Sequence, residues 1–365
     1  MKIECTTDIL VEAVGKSEKI TGKNLTLPVL SCILLEAKGK ILTLRATNLD
    51  LGIEITIPAK ITKEGTIAVP GTILNNFLGT LRNKTVTLEG SEGNLKVTTE
   101  TNTTVIKSLN HEDFPTIPQL KGDKTLTLSA RDVIKGIKSV WYSSATSSMK
   151  PELSSIYIYA DEDTAIFVAT DSFRLAEKKV KMKNARDIGS LLIPVKNVPD
   201  ILRILESCPG EVEVSFTKNQ ISFTYSGVYL TSRVVDGVFP DYRQIIPKSY
   251  TTHVTTLKQD LISAFRVATI FSDKFNKLSV KINPKEKKFE LSTRNADVGE
   301  NSTSLEAVIE GDPIEINFNY KYITDCFQSV DADSVTLEFN GVTKPLIARG
   351  VNDKSFMYLV MPINK

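Results

Sequence analysis

The chain has 365 residues, more than one hydrophobic core accommodates, so two or three domains are expected. Its 41% apolar and 24% charged residues are those of an ordinary globular protein. A formal net charge of +2 excludes a uniformly basic nucleic-acid-binding chain and confines any such contact to a locally basic surface.

In chain order, Asp8-Ile9-Leu10 opens a helical pattern, and residues 33–51 (ILLEAKGKILTLRATNLDL) read as two alternating strands around a polar turn. A second helix is expected around 72–81, then strands such as Val86-Thr87-Leu88, and Phe114-Pro115 closes the stretch before a polar linker at Leu120-Lys121-Gly122-Asp123. The order then repeats. A helix is expected over 131–142, with Val133, Ile134, Ile137 and Val140 at helical spacing, and a strand pair over 156–175 (IYIYADEDTAIFVATDSFRL). A helix over 196–206, a strand at Val212-Glu213-Val214, Phe239-Pro240 and a linker at Pro247-Lys248-Ser249-Tyr250 follow. A third pass runs through Asp260-Leu261-Ile262, the strand pair 280–298 (VKINPKEKKFELSTRNADV), a helix over 319–328 and Met361-Pro362 in the place of Phe-Pro. Thr47, Thr170 and Thr293 end the second strands and lie 123 residues apart in both intervals. Several signals in one order at one spacing point to a triplicated α+β unit, with domains at 1–122, 123–250 and 251–365.

Cys5, Cys32, Cys208 and Cys326 form no C-x-x-C pair, and His111 and His253 are the only histidines, so neither a metal nor another cofactor is expected. Isolated thiols suit a reducing cytoplasm, Lys2, Glu4 and Asp8 interrupt any signal-peptide core, and no run approaches a membrane span. Gly15-Lys16-Ser17 resembles the end of a phosphate-binding loop, but Leu10 stands where its first glycine belongs, and G-x-S-x-G does not occur. Two other readings are a metal-dependent α+β enzyme using Asp171, Asp241 and Asp297, and a sequence-specific DNA-binding regulator. Asp171 and Asp297 fall in or beside equivalent turns, where such side chains satisfy backbone groups. No helix presents Arg and Asn in a pattern made for base edges.

Cations do recur on helices. Arg131, Lys135 and Lys138 stand at i, i+4 and i+7, Lys196 and Arg203 lie seven apart, and Lys258 and Arg266 flank one side of a third helix. One such stripe is an ordinary solvated face, whereas repetition suits non-specific contact with duplex phosphates, spaced at one charge per roughly 1.7 Å.

The segments TLPVL at 26–30, ATDSFRLA at 169–176, VDGVFPDYRQIIP at 235–247 and YLVMPI at 358–363 are similar to those of the bacterial DNA sliding clamp, the β subunit of the replicative polymerase. The resemblance covers the whole chain and implies a non-catalytic processivity factor of three clamp-type α+β domains. It also implies a head-to-tail homodimer closing a six-domain ring, helices inside and sheets outside, around duplex DNA. Lys23 would join the cations named above beside the DNA.

Partners implied are the polymerase, the clamp loader and repair proteins, each docking a short peptide in an apolar groove. Matching positions from the second unit are Leu153, Thr170, Phe173, Arg174, Leu175, Pro240 and Ile245. Those from the third are Tyr322, Val342, Leu359, Val360, Met361, Pro362 and Ile363. Thr170 and Arg174 are expected to hydrogen-bond the peptide backbone. The chain departs from the family at Ser172-Phe173, commonly Gly-His, and at Gln244, often arginine. Ile106, Ile270 and Phe271 match the dimer interface, with Lys274, Lys277 and Glu300 at its rim.

Overall fold

The computed structural model describes residues 1–22, 26–91, 93–120, 125–147 and 149–363. Among these the helices are α1 (Thr7–Ile20), α2 (Gly71–Leu78), α3 (Ala130–Lys138), α4 (Val198–Leu205), α5 (Lys258–Ile270) and α6 (Tyr320–Thr324). The strands form four antiparallel sheets in two compact units, residues 1–131 with 196–234 and residues 132–195 with 235–365. No described helix is long and apolar enough to cross a membrane.

The first unit holds a five-stranded sheet ordered Lys60–Lys63, Lys2–Thr6, Thr85–Ser91, Asn94–Thr98, Thr103–Lys107. Its second sheet has eight strands, ordered Thr125–Ser129, Glu211–Phe216, Gln220–Tyr225, Val228–Arg233, Leu51–Pro58, Ile41–Thr47, Cys32–Lys38, Gly65–Pro70. Alternation dictates which face is buried: Ile3 and Cys5 point inward while Lys2, Glu4 and Thr6 point out. On α1, Leu10, Ala13, Val14, Ser17 and Ile20 make the helical stripe that closes against these sheets.

The second unit repeats the plan. Its nine-stranded sheet runs Leu191–Pro194, Ser155–Asp161, Thr164–Thr170, Arg174–Lys181, Phe356–Val360, Leu346–Gly350, Ser334–Phe339, Thr252–Leu257, Val308–Gly311. A four-stranded sheet runs Gly299–Ser304, Lys288–Asn295, Lys277–Asn283, Ile314–Asn319. The long sheets are long because repeats pair edge to edge. Thr231 of the second repeat stands opposite Gly52 of the first, and Leu359 of the third opposite Leu175 of the second. Ladder hydrogen bonds satisfy what would be exposed strand edges, so the second repeat is divided between the two units rather than standing alone.

The threonine spacing has a structural cause. Thr47 Oγ1 donates to Leu51 O at 2.7 Å and accepts from Leu49 N at 3.0 Å. Thr170 Oγ1 does the same with Arg174 O at 2.6 Å and Ser172 N at 3.1 Å. Asn48 and Asp171 each accept two backbone N–H groups, and Leu49 (φ 77°) and Ser172 (φ 79°) occupy the same left-handed step. In the third repeat Thr293 donates instead to Ala268 O at 3.0 Å, and Asn295, not the expected Asp297, accepts from the backbone. The turn there is three residues longer, since Thr293 faces Asn301 where Thr47 faces Gly52 and Thr170 faces Leu175.

Other expectations are corrected in detail. The helix expected over 131–142 ends at Lys138, where Ser139 Oγ takes the Lys135 carbonyl at 2.7 Å, and a 3-10 turn (Trp141–Ser143) follows. Lys196 sits in a 3-10 turn (Val195–Asn197) before α4, with Pro199 in the helix's first turn. The helix expected over 319–328 is α6 followed by a 3-10 turn, Asp325–Ser329. Met361 does not match the Phe-Pro positions. Its N donates to Phe173 O as Arg233 N donates to Asp50 O, so Met361 corresponds to Arg233, ahead of Phe239. Cys5, Cys32 and Cys326 are buried and Cys208 is partly so; burial pushes the Cys5 thiol up to about 12 and Cys32 to about 11.

Candidate partner groove and helix surfaces

The groove residues lie in the second unit and divide by environment. Leu153, Leu175, Leu359 and Val360 are buried, as are Thr170 and the aromatic pair Phe239 and Tyr242. Leu175 and Leu359, opposite each other on paired strands, join Ile166, Val168, Leu192, Phe239, Tyr242 and Met357 in one apolar cluster. Met361 packs against this cluster from the surface, together with Tyr157, Tyr159 and Ile246. Phe173, Ile245 and Val342 are exposed to 59%, 48% and 57%, unusual for side chains this apolar. Pro240 is exposed, and Tyr322, Met361, Pro362 and Ile363 are half-buried. The end of the described chain is held in place: Met361 N donates to Phe173 O and Ile363 N to Asn317 O, both at 2.8 Å.

The two polar residues expected to hold a peptide are engaged internally. Thr170 spends its hydroxyl on the turn described above. Arg174, with 12% of its side chain exposed, donates through Nε to Asp171 Oδ2 at 2.9 Å, through Nη1 to Asp325, and through Nη2 to Tyr142 O at 2.6 Å. Its guanidinium also lies 4.8 Å from the centre of the Tyr322 ring, on which Phe173 stacks at 6.3 Å. Burial alone would lower the Arg174 pKa, but Tyr358, Asp325 and Asp171 together raise it. Arg174 is therefore a strut that fixes the Phe173–Tyr322 wall, and its fork geometry is what the three acceptors require.

Sequence reasoning missed Tyr142, Asp325 and the network under Tyr242. There the Tyr242 hydroxyl donates to buried Glu177 and contacts Tyr159 Oη at 2.8 Å, while Arg243 Nη2 donates to Tyr159 Oη at 2.7 Å. Tyr142 and Asp325 lie 32 and 151 positions from Arg174, so no local pattern announces them. The surplus aromatic residues at 157, 159 and 242 were the available signal.

The helix cations are exposed, with one exception. Arg131, Lys135, Lys138, Lys196, Arg203 and Arg266 reach solvent, whereas Lys258 is half-buried and donates to Val330 O at 2.8 Å. Lys135 pairs with Asp331 at 2.8 Å, Lys196 with Asp50 at 2.7 Å and Arg203 with Asp200 at 2.9 Å. Lys23 lies outside the described residues.

At the expected dimer surface, Ile270 is 65% exposed at the end of α5 and Phe271 is half-buried. Phe275 and Val298 add further exposed apolar surface. Ile106 is corrected: its side chain is 4% exposed and faces its own core, and Val105 is the exposed apolar residue of that edge strand.

Family models of the DNA polymerase III beta subunit match three successive stretches: the N-terminal domain at residues 1–118, the central domain at 127–241 and the C-terminal domain at 243–364. The beta sliding clamp of Synechococcus elongatus is 26% identical over 373 residues, covering 100% of this chain and 99% of that protein. Among solved structures, the Bartonella birtlesii sliding clamp bound to griselimycin is 26% identical with a TM-score of 0.93, and the two cover each other fully. The Bacillus subtilis clamp shares the fold at a TM-score of 0.94 and 23% identity, covering 100% of this chain and 99% of its own. The chain has the three-domain α+β clamp fold and belongs to the DNA polymerase III beta subunit family, the sliding clamps.

Proposed function

We propose that two copies of this chain close head to tail into a ring around duplex DNA and tether replication and repair proteins to it without catalysing a reaction. The domains would run 1–122, 123–250 and 251–365. The carrying observation is the pattern of sheet edges. Val228–Arg233 pairs with Leu51–Pro58, and Phe356–Val360 with Arg174–Lys181. The corresponding strands left over are Gly299–Ser304 and Thr103–Lys107, each at the outer edge of its sheet. A free edge is a hazard unless paired, and a second copy supplies the missing neighbour at both ends. Carrying the internal register across puts Asn301 opposite the partner's Val105. Val298, directly before Gly299–Ser304, and Ile270, at the end of α5, are exposed apolar residues.

Arg131, Lys135, Lys138, Lys196, Arg203, Lys258 and Arg266 are the cations proposed to meet phosphates, and such contacts are sequence-independent and salt-sensitive. Exposed Phe173, Ile245 and Val342, with Met361, are the docking surface proposed for apolar peptide tails of the polymerase, the clamp loader and repair proteins. Topology tests the ring. Once assembled by a clamp loader, the protein should stay on nicked circular DNA and be lost when that circle is cut. Equal retention on both forms, or a monomeric native mass, would refute the reading.

A further inference from the structure

One carboxylate in the second unit gathers three lysines from three elements. Asp331 Oδ2 is 2.8 Å from Lys135 Nζ on α3 and 3.8 Å from Lys178 Nζ on strand Arg174–Lys181. Lys258, at the start of α5, donates to Val330 O, the carbonyl just before Asp331. Two of the three cannot move away. Lys178 has 2% of its side chain exposed, donates to Ser355 Oγ at 2.9 Å and sits 5.8 Å from the centre of the Phe356 ring. Lys258 is tied to the Val330 carbonyl. Lys135 is different: 48% of its side chain and 55% of that of Asp331 are in solvent, and an exposed pair of this kind is weak.

We propose that Asp331 is a releasable counter-charge for the DNA-facing cations. In the free protein it holds Lys135 against α3. When a duplex passes, Lys135 exchanges the carboxylate for a phosphate, and Asp331 keeps the fixed ammonium of Lys178 beside it. The exchange trades one charge-assisted contact for another, so each phosphate contact gains little, which is the property a protein needs to hold DNA without pinning it. Hydrogen bonding from Lys135 holds the Asp331 carboxyl below the usual carboxylate range, so it is ionised at neutral pH. The inference rests on the reading that α3 and α5 face DNA.

The test is binding of a short fluorescent duplex to the full chain, followed by anisotropy across a series of salt concentrations. Asp331→Asn should bind about threefold more tightly at low salt, the size of one released exposed ion pair. Its plot of log affinity against log salt should keep the slope of the unaltered protein, since Lys135 meets the same phosphate in both. Asp331→Glu should track the unaltered protein, and adding Lys135→Gln to Asp331→Asn should erase the gain. Unchanged affinity in Asp331→Asn, a steeper slope, or a gain that persists without Lys135 overturns the proposal while leaving the DNA reading intact. No salt-dependent binding by the unaltered chain overturns both.

Discussion

Replacing Arg174 by alanine separates its two possible roles, strut and peptide ligand. The substitution removes three hydrogen bonds and the cation over Tyr322; it leaves the Asp171 carboxylate, 14% exposed, with only its backbone N–H donors and takes the guanidinium from the Tyr142 carbonyl. Breaking a buried ion pair by deleting one partner costs about 3–5 kcal/mol. Asp325 is 42% exposed and water screens its share, which reduces the expected loss to roughly 2–3 kcal/mol. At about 2–4 °C per kcal/mol for a unit of this size, the melting transition should fall by roughly 5–10 °C in calorimetry of the full chain. Arg174→Lys, which keeps the charge but loses the fork, should fall between the two. Binding of an apolar-ended peptide should weaken only through the loosened Phe173–Tyr322 wall. If Arg174→Ala melts like the unaltered protein yet loses peptide affinity, the side chain is a ligand and the strut argument is wrong.

Two other outcomes follow from geometry. Arg233 N to Asp50 O and Met361 N to Phe173 O mark hydrogen-bonded pairs, so in the carried-over register Ser302 and the partner's Thr104 form a close, non-hydrogen-bonded pair, with Cα atoms about 4.5 Å apart. Cysteines at both positions should oxidise to a covalent dimer on a non-reducing gel, while Ser302→Cys with Val105→Cys should not; the reverse pattern would mean another register. Gly136→Ala places a Cβ 2.3 Å from Cε2 of the buried Phe167 ring, so the denaturant midpoint should drop by the equivalent of about 1–3 kcal/mol, and an unchanged midpoint would show that α3 can lift away freely.

What the sequence made legible was the repetition and the turn chemistry. Thr47 and Thr170 could be paired by spacing alone because each hydroxyl serves its own turn within four residues. Strand pairs such as 33–47 and 156–170 announced themselves by alternation for the same reason. The sheet joints and the division of the second repeat were not legible, since a free edge chooses its neighbour through tertiary fit. At the candidate groove, which side chains reach the surface was partly legible, and which polar groups are already engaged was not. Phe173, Ile245 and Met361 do lie at or near the surface, but the fate of Arg174 depends on Tyr142 and Asp325, which only the fold brings to it. Ile106 failed for a simpler reason: resemblance gives the strand, and the strand's alternation decides that Val105 faces out.

The third repeat shows why its turn differs. In the first two repeats a short turn returns the chain directly into a strand that pairs with the next repeat, and residues after it are buried, as Leu51 and Leu175 are. The third turn carries three more residues, its threonine is released to α5, and Val298 stands exposed before Gly299, whose added Cβ would lie 3.7 Å from the Phe271 ring. A strand that pairs within the chain is sealed by its own neighbours, whereas one that pairs with a second copy must present its apolar rim to solvent until that copy arrives. The longer turn builds such a rim and ties it to the end of α5. The point at which the triplication is least regular is thus the point at which the pairing is proposed to pass from one chain to the next.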